Sequence, residues 1–109
     1  MAYNEVLAER MRAILKTIRG LEEKKMFGGV GFLVRGNMAC GVHKDDLILR
    51  LGEQDFAAAL KAPHVRIFDM TGKPMKGWVL VSKQGYESAK ALQAWVRISL
   101  AFAGSLPPK

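Results

Sequence analysis

Apolar residues at every second position, interrupted by very short turns, dominate residues 22–51 and constrain the fold more than any other feature. Val30, Phe32 and Val34 mark one face of a predicted strand, and a similar alternation resumes at Met38 after the dipeptide Gly36-Asn37. A two-residue period is typical of β-strands, and Gly36-Asn37 is predicted to form a two-residue hairpin turn with positive φ. Such connections are too short for the crossovers of a parallel sheet, so the pattern predicts an antiparallel meander.

Further strands are predicted on both sides of this segment. A short strand at 25–27 precedes Gly28-Gly29, and the meander extends through 47–51 after a turn at 44–46. Two more strands are predicted over 65–70 and 78–82. The expected sheet has about five strands.

Three helices complete the predicted order α-β(3-4)-α-β(2)-α. The first has Asn4 as N-cap and Gly20 as its stop, with apolar residues at helical spacing. The second, 53–61, is expected to bury Phe56, Ala59 and Leu60. The third spans 87–103. These elements predict a two-layer α+β domain over residues 1–109, with the helices on one face of the sheet.

The last helix carries more apolar surface than one sheet face requires. Successive residues of a helix are 100° apart around its axis. Ile98 and Phe102 extend the apolar surface around Leu92 to an arc nearly twice as wide as the apolar stripe of about 100° that a helix on a sheet needs. Two explanations stay open. Either the tail with Leu106 folds back over this arc, or another chain covers it, in which case Ile98 and Phe102 are the candidate self-association residues of a homodimer.

Several classes of protein are disfavoured by the sequence. The longest run without polar side chains, Met26 to Val34, is far shorter than the roughly 20 residues of a membrane span. The N-terminus lacks the basic-then-apolar plan of a secretory signal. Cys40 is the only cysteine, which excludes an internal disulfide. We therefore expect a cytoplasmic protein without membrane association.

The search for chemistry yields no catalytic residue, metal site or cofactor. His43 beside Asp45 and Asp46 matches no common zinc or calcium spacing. The glycines at 28–36 fit neither a phosphate loop nor a dinucleotide fingerprint, and a bend between strands explains them better. Cys40 lies on the apolar face of its strand, which favours a buried, inert thiol over a nucleophile.

Basic residues are the remaining signal, since the formal net charge is +7. An acidic partner would explain this bias: nucleic acid, an acidic protein surface or an anionic ligand. The alternative is a solvated surface that serves solubility. No sequence-specific DNA-binding motif is present, so any nucleic-acid binding is expected to be weak and non-specific. The candidate interaction surface consists of Lys24, Lys25, Lys73, Lys76 and Lys83.

Four segments together resemble a known family. They are Lys24-Lys25-Met26-Phe27-Gly28-Gly29, Gly36-Asn37-Met38-Ala39, Thr71-Gly72-Lys73-Pro74-Met75-Lys76-Gly77-Trp78-Val79 and the tail Ser105-Leu106-Pro107-Pro108-Lys109. Their order and spacing resemble the N-terminal domain of the TfoX/Sxy family, bacterial proteins named for regulators of natural competence. The motif positions with an expected structural role are Met26, Phe27, Gly28, Gly29, Gly72, Pro74, Met75, Gly77 and Trp78.

The resemblance implies a two-layer α+β fold similar to type III secretion chaperones, and it transfers no catalytic residue. It also implies a role linked to gene regulation in some members. The full-length regulators carry a second, helical C-terminal domain, and this sequence departs from them, so we expect a stand-alone member without that domain. Three functions compete: a non-enzymatic regulatory or adaptor domain with an unidentified protein partner, a basic nucleic-acid-binding accessory protein, and an enzyme or small-ligand binder with an unrecognised site. The first is preferred.

Overall fold

The first helix begins where its cap was expected. The computed structural model describes residues 3–26, 28–69, 72 and 74–107. Helix α1 spans Glu5–Leu15, and the side chain of Asn4 accepts a hydrogen bond from the Leu7 amide at 3.0 Å. Leu7, Ala8, Met11 and Leu15 form its buried stripe, which confirms the helical spacing of the sequence. The helix ends five residues before Gly20.

Six antiparallel strands form one sheet. Strands β1 (Leu21–Met26), β2 (Gly29–Val34), β3 (Asn37–His43) and β4 (Asp46–Arg50) make the predicted meander. Strands β5 (Val65–Ile67) and β6 (Trp78–Val81) extend the sheet, whose order is β1-β2-β3-β4-β6-β5. The expected count of about five was therefore one too low. Strand β1 is also twice as long as predicted, because its charged residues hide it from a search for apolar alternation.

The first hairpin turn lies one residue earlier than predicted. Val34 pairs with Asn37, so the two turn residues are Arg35 and Gly36, with φ of 50° and 85°. Asn37 belongs to β3 and is buried, and its side-chain amide donates to the Pro107 carbonyl at 2.9 Å. Positive φ at both central residues is the requirement of a tight hairpin turn. The prediction of Gly36-Asn37 assigned that role to the wrong pair.

One face of the sheet carries the helices and the main core. Phe32, Val42 and Leu49 from successive strands pack in one cluster with residues of α1 and of helix α4, Ala89–Ser105. Helix α2 (Glu53–Leu60) adds Phe56 and Ala59 to this cluster. This arrangement confirms the prediction that the helices lie on one face of the sheet. Leu60 was expected to point inward, but it is 38% exposed, whereas its neighbour Ala59 is buried.

The chain between β6 and the last helix contains an unpredicted element. Helix α3 (Lys83–Tyr86) is a single turn, and Tyr86 is buried with its hydroxyl donating to the Asp45 carbonyl. Burial and the nearby carboxylates of Asp45 and Asp46 raise the Tyr86 pKa. Helix α4 consequently starts at Ala89, two residues later than expected.

The opposite face of the sheet has a smaller apolar cluster of its own. Leu33, Met38, Ile48 and Leu80 are buried there together with Phe68, and Met75 and Trp78 pack against them. The segment between β5 and β6 is held over this cluster by backbone hydrogen bonds between Met75 and Phe68, 2.8 Å, and between Phe68 and Trp78, 2.9 Å. We call residues 68–78, as far as they are described, the covering segment.

An ion-pair network fastens the edge strand β1 to α1. Arg12 donates to both carboxylate oxygens of Glu23, at 2.8 and 2.7 Å, and also contacts Glu9. The hydrogen bonds from Arg12 hold the pKa of Glu23 below its usual range. The pair is partly exposed, so its stabilisation is of the order of 1 kcal/mol or less. That contribution is complete above the unfolded-state pKa of about 4.3 and is lost as the pH falls through the folded-state value.

Candidate functional site

The four candidate lysines that the structure describes lie on different faces of the fold. Lys24 and Lys25 are neighbours in β1, and successive strand residues point to opposite faces of a sheet. Lys25 is on the face of Glu23, which contacts α1, whereas Lys24 is on the face of the covering segment. Lys76 is exposed in that segment, and Lys83 starts α3 in the helical layer. Lys73 lies outside the described residues, so a single patch stays a prediction.

The family-motif positions lie in two places, the connection between β1 and β2 and the covering segment that leads into β6. Gly28 and Gly29 connect β1 to β2 after Met26, while Phe27 lies outside the described residues. Met75 and Trp78 contribute to the second apolar cluster, and the Gly77 carbonyl accepts a hydrogen bond from the Leu51 amide at 2.7 Å. Gly72 and Pro74 are exposed in the covering segment. A structural role is our interpretation of these positions.

A groove between α1 and α4 is a concave surface of the helical layer. One part has a cavity volume of about 420 Å³ and is lined by Ala13, Ile14, Thr17, Ile18, Gln93, Arg97 and Leu100. A second part, about 220 Å³, is lined by Arg10, Ala13, Ile14, Ala89, Leu92 and Gln93. Three lining residues belong to both parts, so the groove is continuous along the two helices.

The groove combines apolar walls with positive charge. Ile14 and Leu100 supply apolar side chains from opposite sides, and the small residues Ala13 and Thr17 leave space between the helices. Arg97 is exposed at the rim, whereas Arg10 donates to the carbonyl groups of Tyr86 and Glu87. No carboxylate is among the lining residues of either part. The groove therefore suits a ligand with apolar and acidic groups.

Sequence reasoning missed this groove. Gln93 and Arg97 are polar residues of the last helix and carry no motif that would indicate a binding surface. The small residues Ala13, in α1, and Thr17, just after the end of α1, were a usable signal, because small side chains there permit a depression beside α4. The separation of α1 and α4 across the sheet is a tertiary property that neither helix encodes alone.

Ile98 and Phe102, the candidate self-association residues, are half-buried within the chain. Ile98 packs against the main core, and the ring of Phe102 lies near Gly52 and the guanidinium group of Arg50. At the end of α4, Arg35 donates to the Gly104 carbonyl, and just beyond the helix Asn37 donates to the Pro107 carbonyl. Self-association through these residues stays a prediction.

Cys40 is fully buried in the main core. Burial raises its pKa to about 12, and a hydrogen bond with the Ser99 side chain partly offsets this rise. Because the thiolate is the reactive form, we expect Cys40 in the folded protein to resist a disulfide reagent at pH 8 and to react at once in denaturant. Labelling that is equally fast with and without denaturant would contradict this burial.

The described residues present no cluster of side chains that could hold a metal ion. No group of three or more His, Cys, Asp or Glu side chains comes together in the described part of the chain. His43 faces Asp46 across the β3–β4 pair, and Asp46 is bound by Arg66 at 2.6 Å. In the same part, no helix is both long and apolar enough to cross a bilayer.

Comparison with known proteins finds one family match. No curated protein and no solved structure matches the chain. The sequence profile of the TfoX N-terminal domain matches residues 13–103. That range runs from the second half of α1 almost to the end of α4 and includes the sheet, the covering segment and most of the groove. The chain therefore belongs to the TfoX N-terminal domain family.

Proposed function

We propose that this protein is a non-enzymatic regulatory or adaptor domain that binds a protein partner in the groove between α1 and α4. The observation that carries the proposal is the continuous groove with apolar walls and a cationic rim. Membership of the TfoX N-terminal domain family supports a regulatory role over a catalytic one. The distribution of the lysines over both sheet faces and α3 favours this proposal over binding to a nucleic-acid duplex.

The dimensions of the groove suit a short segment of a partner protein. Along α4 it extends from Ala89 to Leu100, which corresponds to about 16 Å at 1.5 Å per residue. This length accommodates about three helical turns or five extended residues. Ile14 and Leu100 would contact apolar side chains of the segment, and Arg97 would attract its acidic ones. The occupant is thus an apolar segment with carboxylate side chains.

Site-specific photo-crosslinking in native cells tests this proposal. A photoreactive amino acid at Gln93 lies in the groove, and the same amino acid at Gln54 lies in the exposed first turn of α2. We expect a discrete protein adduct from position 93 only. The crosslinked peptide, identified by mass spectrometry, should contain apolar and acidic residues.

A matched pair of glutamate substitutions supplies the control. Ala13→Glu places a negative charge in the groove and should abolish the adduct at position 93. Ala58→Glu makes the same change at an exposed alanine of α2 and should leave the adduct unchanged. Equal adducts from positions 93 and 54, or an adduct that survives Ala13→Glu, would show that the groove is not the binding site.

A further inference from the structure

Arg50 differs from the other arginines of this chain. Arg10, Arg12, Arg35 and Arg66 each donate to a protein oxygen, while Arg19 and Arg97 are exposed. Arg50 is half-buried at the end of β4, yet within the described residues it forms no ion pair and no hydrogen bond through its guanidinium group.

Two aromatic rings fix the guanidinium group instead. Trp78 is the direct cross-strand neighbour of Arg50 in the β4–β6 pair. The guanidinium carbon lies over the Trp78 ring at 5.4 Å from its centroid and over the Phe102 ring at 5.5 Å. Trp78 is itself held by an edge-to-face contact with Phe68. The rings restrict the side chain, which lowers the entropy lost when it binds a ligand.

Within the described part of the chain, the N–H groups of Arg50 have no protein acceptor, but they do reach solvent. No described buried side-chain nitrogen lacks a hydrogen-bond partner, so the unpaired nitrogens of Arg50 are not sealed inside the protein. Glu53, the nearest acid along the chain, is exposed in the first turn of α2 and forms no ion pair with Arg50. The guanidinium group therefore offers up to five donors in a fixed plane to an external acceptor.

We propose that Arg50, positioned by Trp78 and Phe102, is a binding site for an oxyanion, that is, a carboxylate or phosphate group. Both groups present two oxygens that match the paired N–H donors of a guanidinium group. Arg50 is not among the residues that line the groove. The oxyanion site is therefore a second site, and it does not depend on the proposed groove function.

Side-chain NMR of the full chain tests the proposal directly. The Nε–Hε signal of each arginine can be followed while sodium phosphate or sodium acetate replaces sodium chloride at constant ionic strength. We expect the Arg50 signal to shift along a saturable curve with a midpoint on the order of millimolar, as suits a single ion pair. Saturation with phosphate alone, acetate alone or both supports the site and identifies the preferred group.

Three substitutions make the result specific, with binding followed by the fluorescence of Trp78 in a Trp95→Phe background. Arg50→Gln should weaken binding by about tenfold or more, and Arg50→Lys should lie between it and the parent. Arg19→Gln removes the same charge near the same end of the sheet and should leave binding unchanged. The proposal is overturned if the Arg50 signal shifts linearly like those of Arg19 and Arg97, or if Arg50→Gln binds like the parent.

Discussion

Alanine at position 29 is expected to destabilise the fold by about 3 kcal/mol, the upper end of the range for overpacking. A Cβ atom on Gly29 would lie 1.9 Å from the Val42 carbonyl oxygen and 3.2 Å from the His43 Cα. Both atoms belong to the backbone of β3, so β2 and β3 would have to separate where they pair. A small domain has only about 5–15 kcal/mol of stability. The urea midpoint of Gly29→Ala should therefore fall steeply.

Gly104→Ala is the control for this substitution. Gly104 lies in α4, and a Cβ atom there would meet nothing within 4 Å. Alanine should stabilise the helix by about 0.5 kcal/mol. Equal urea midpoints for Gly29→Ala and Gly104→Ala would mean that β2 and β3 are not as close as described at Gly29.

Trp78→Ala is expected to cost about 3 kcal/mol, the lower end of the range for loss of a large aromatic side chain, because the ring is half-buried. The substitution removes the contact with Phe68, at 6.2 Å between ring centroids, and one of the two rings over Arg50. It also weakens the second apolar cluster. We expect the melting temperature to fall by at least about 10 °C.

Trp78→Phe tests whether the loss of an aromatic ring at position 78 causes the destabilisation. Phenylalanine retains a ring next to Arg50 and Phe68, so its melting temperature should lie much closer to that of the parent. If Trp78→Ala melted within about 2 °C of the parent, the second apolar cluster would contribute little to stability, and Trp78 would be better interpreted as a surface binding residue.

The sequence predicted most of the sheet because its central strands obey a local rule. Leu47, Leu49 and Leu51 alternate with Ile48 and Arg50, and the structure places the three leucines in the main core and Ile48 in the opposite cluster. Strand β1 was predicted only in part, over 25–27, because its four consecutive charged residues carry no apolar period. Its assignment depends on pairing with β2, which is a long-range interaction.

The candidate sites were harder to predict for the same reason. The groove exists because α1 and α4 lie apart on the sheet, and the environment of Arg50 requires Trp78 from β6 and Phe102 from α4. No local pattern brings positions 50, 78 and 102 together. Lysines that are close in the sequence do not lie on one face of the fold. The alternation of strand residues places Lys24 and Lys25 on opposite faces of the sheet, and Lys83 lies in the helical layer.

The charges of β1 also affect how the protein behaves in concentrated solution. An open sheet has two edges whose backbone groups can pair with another chain and start aggregation. Here the edge strand β1 exposes Glu22, Glu23, Lys24 and Lys25, and the other edge, β5, is only three residues long with Arg66 exposed at its centre. Charge and shortness are established defences against edge-to-edge association. The residues that conceal β1 in the sequence thus protect the folded sheet from unwanted strand pairing.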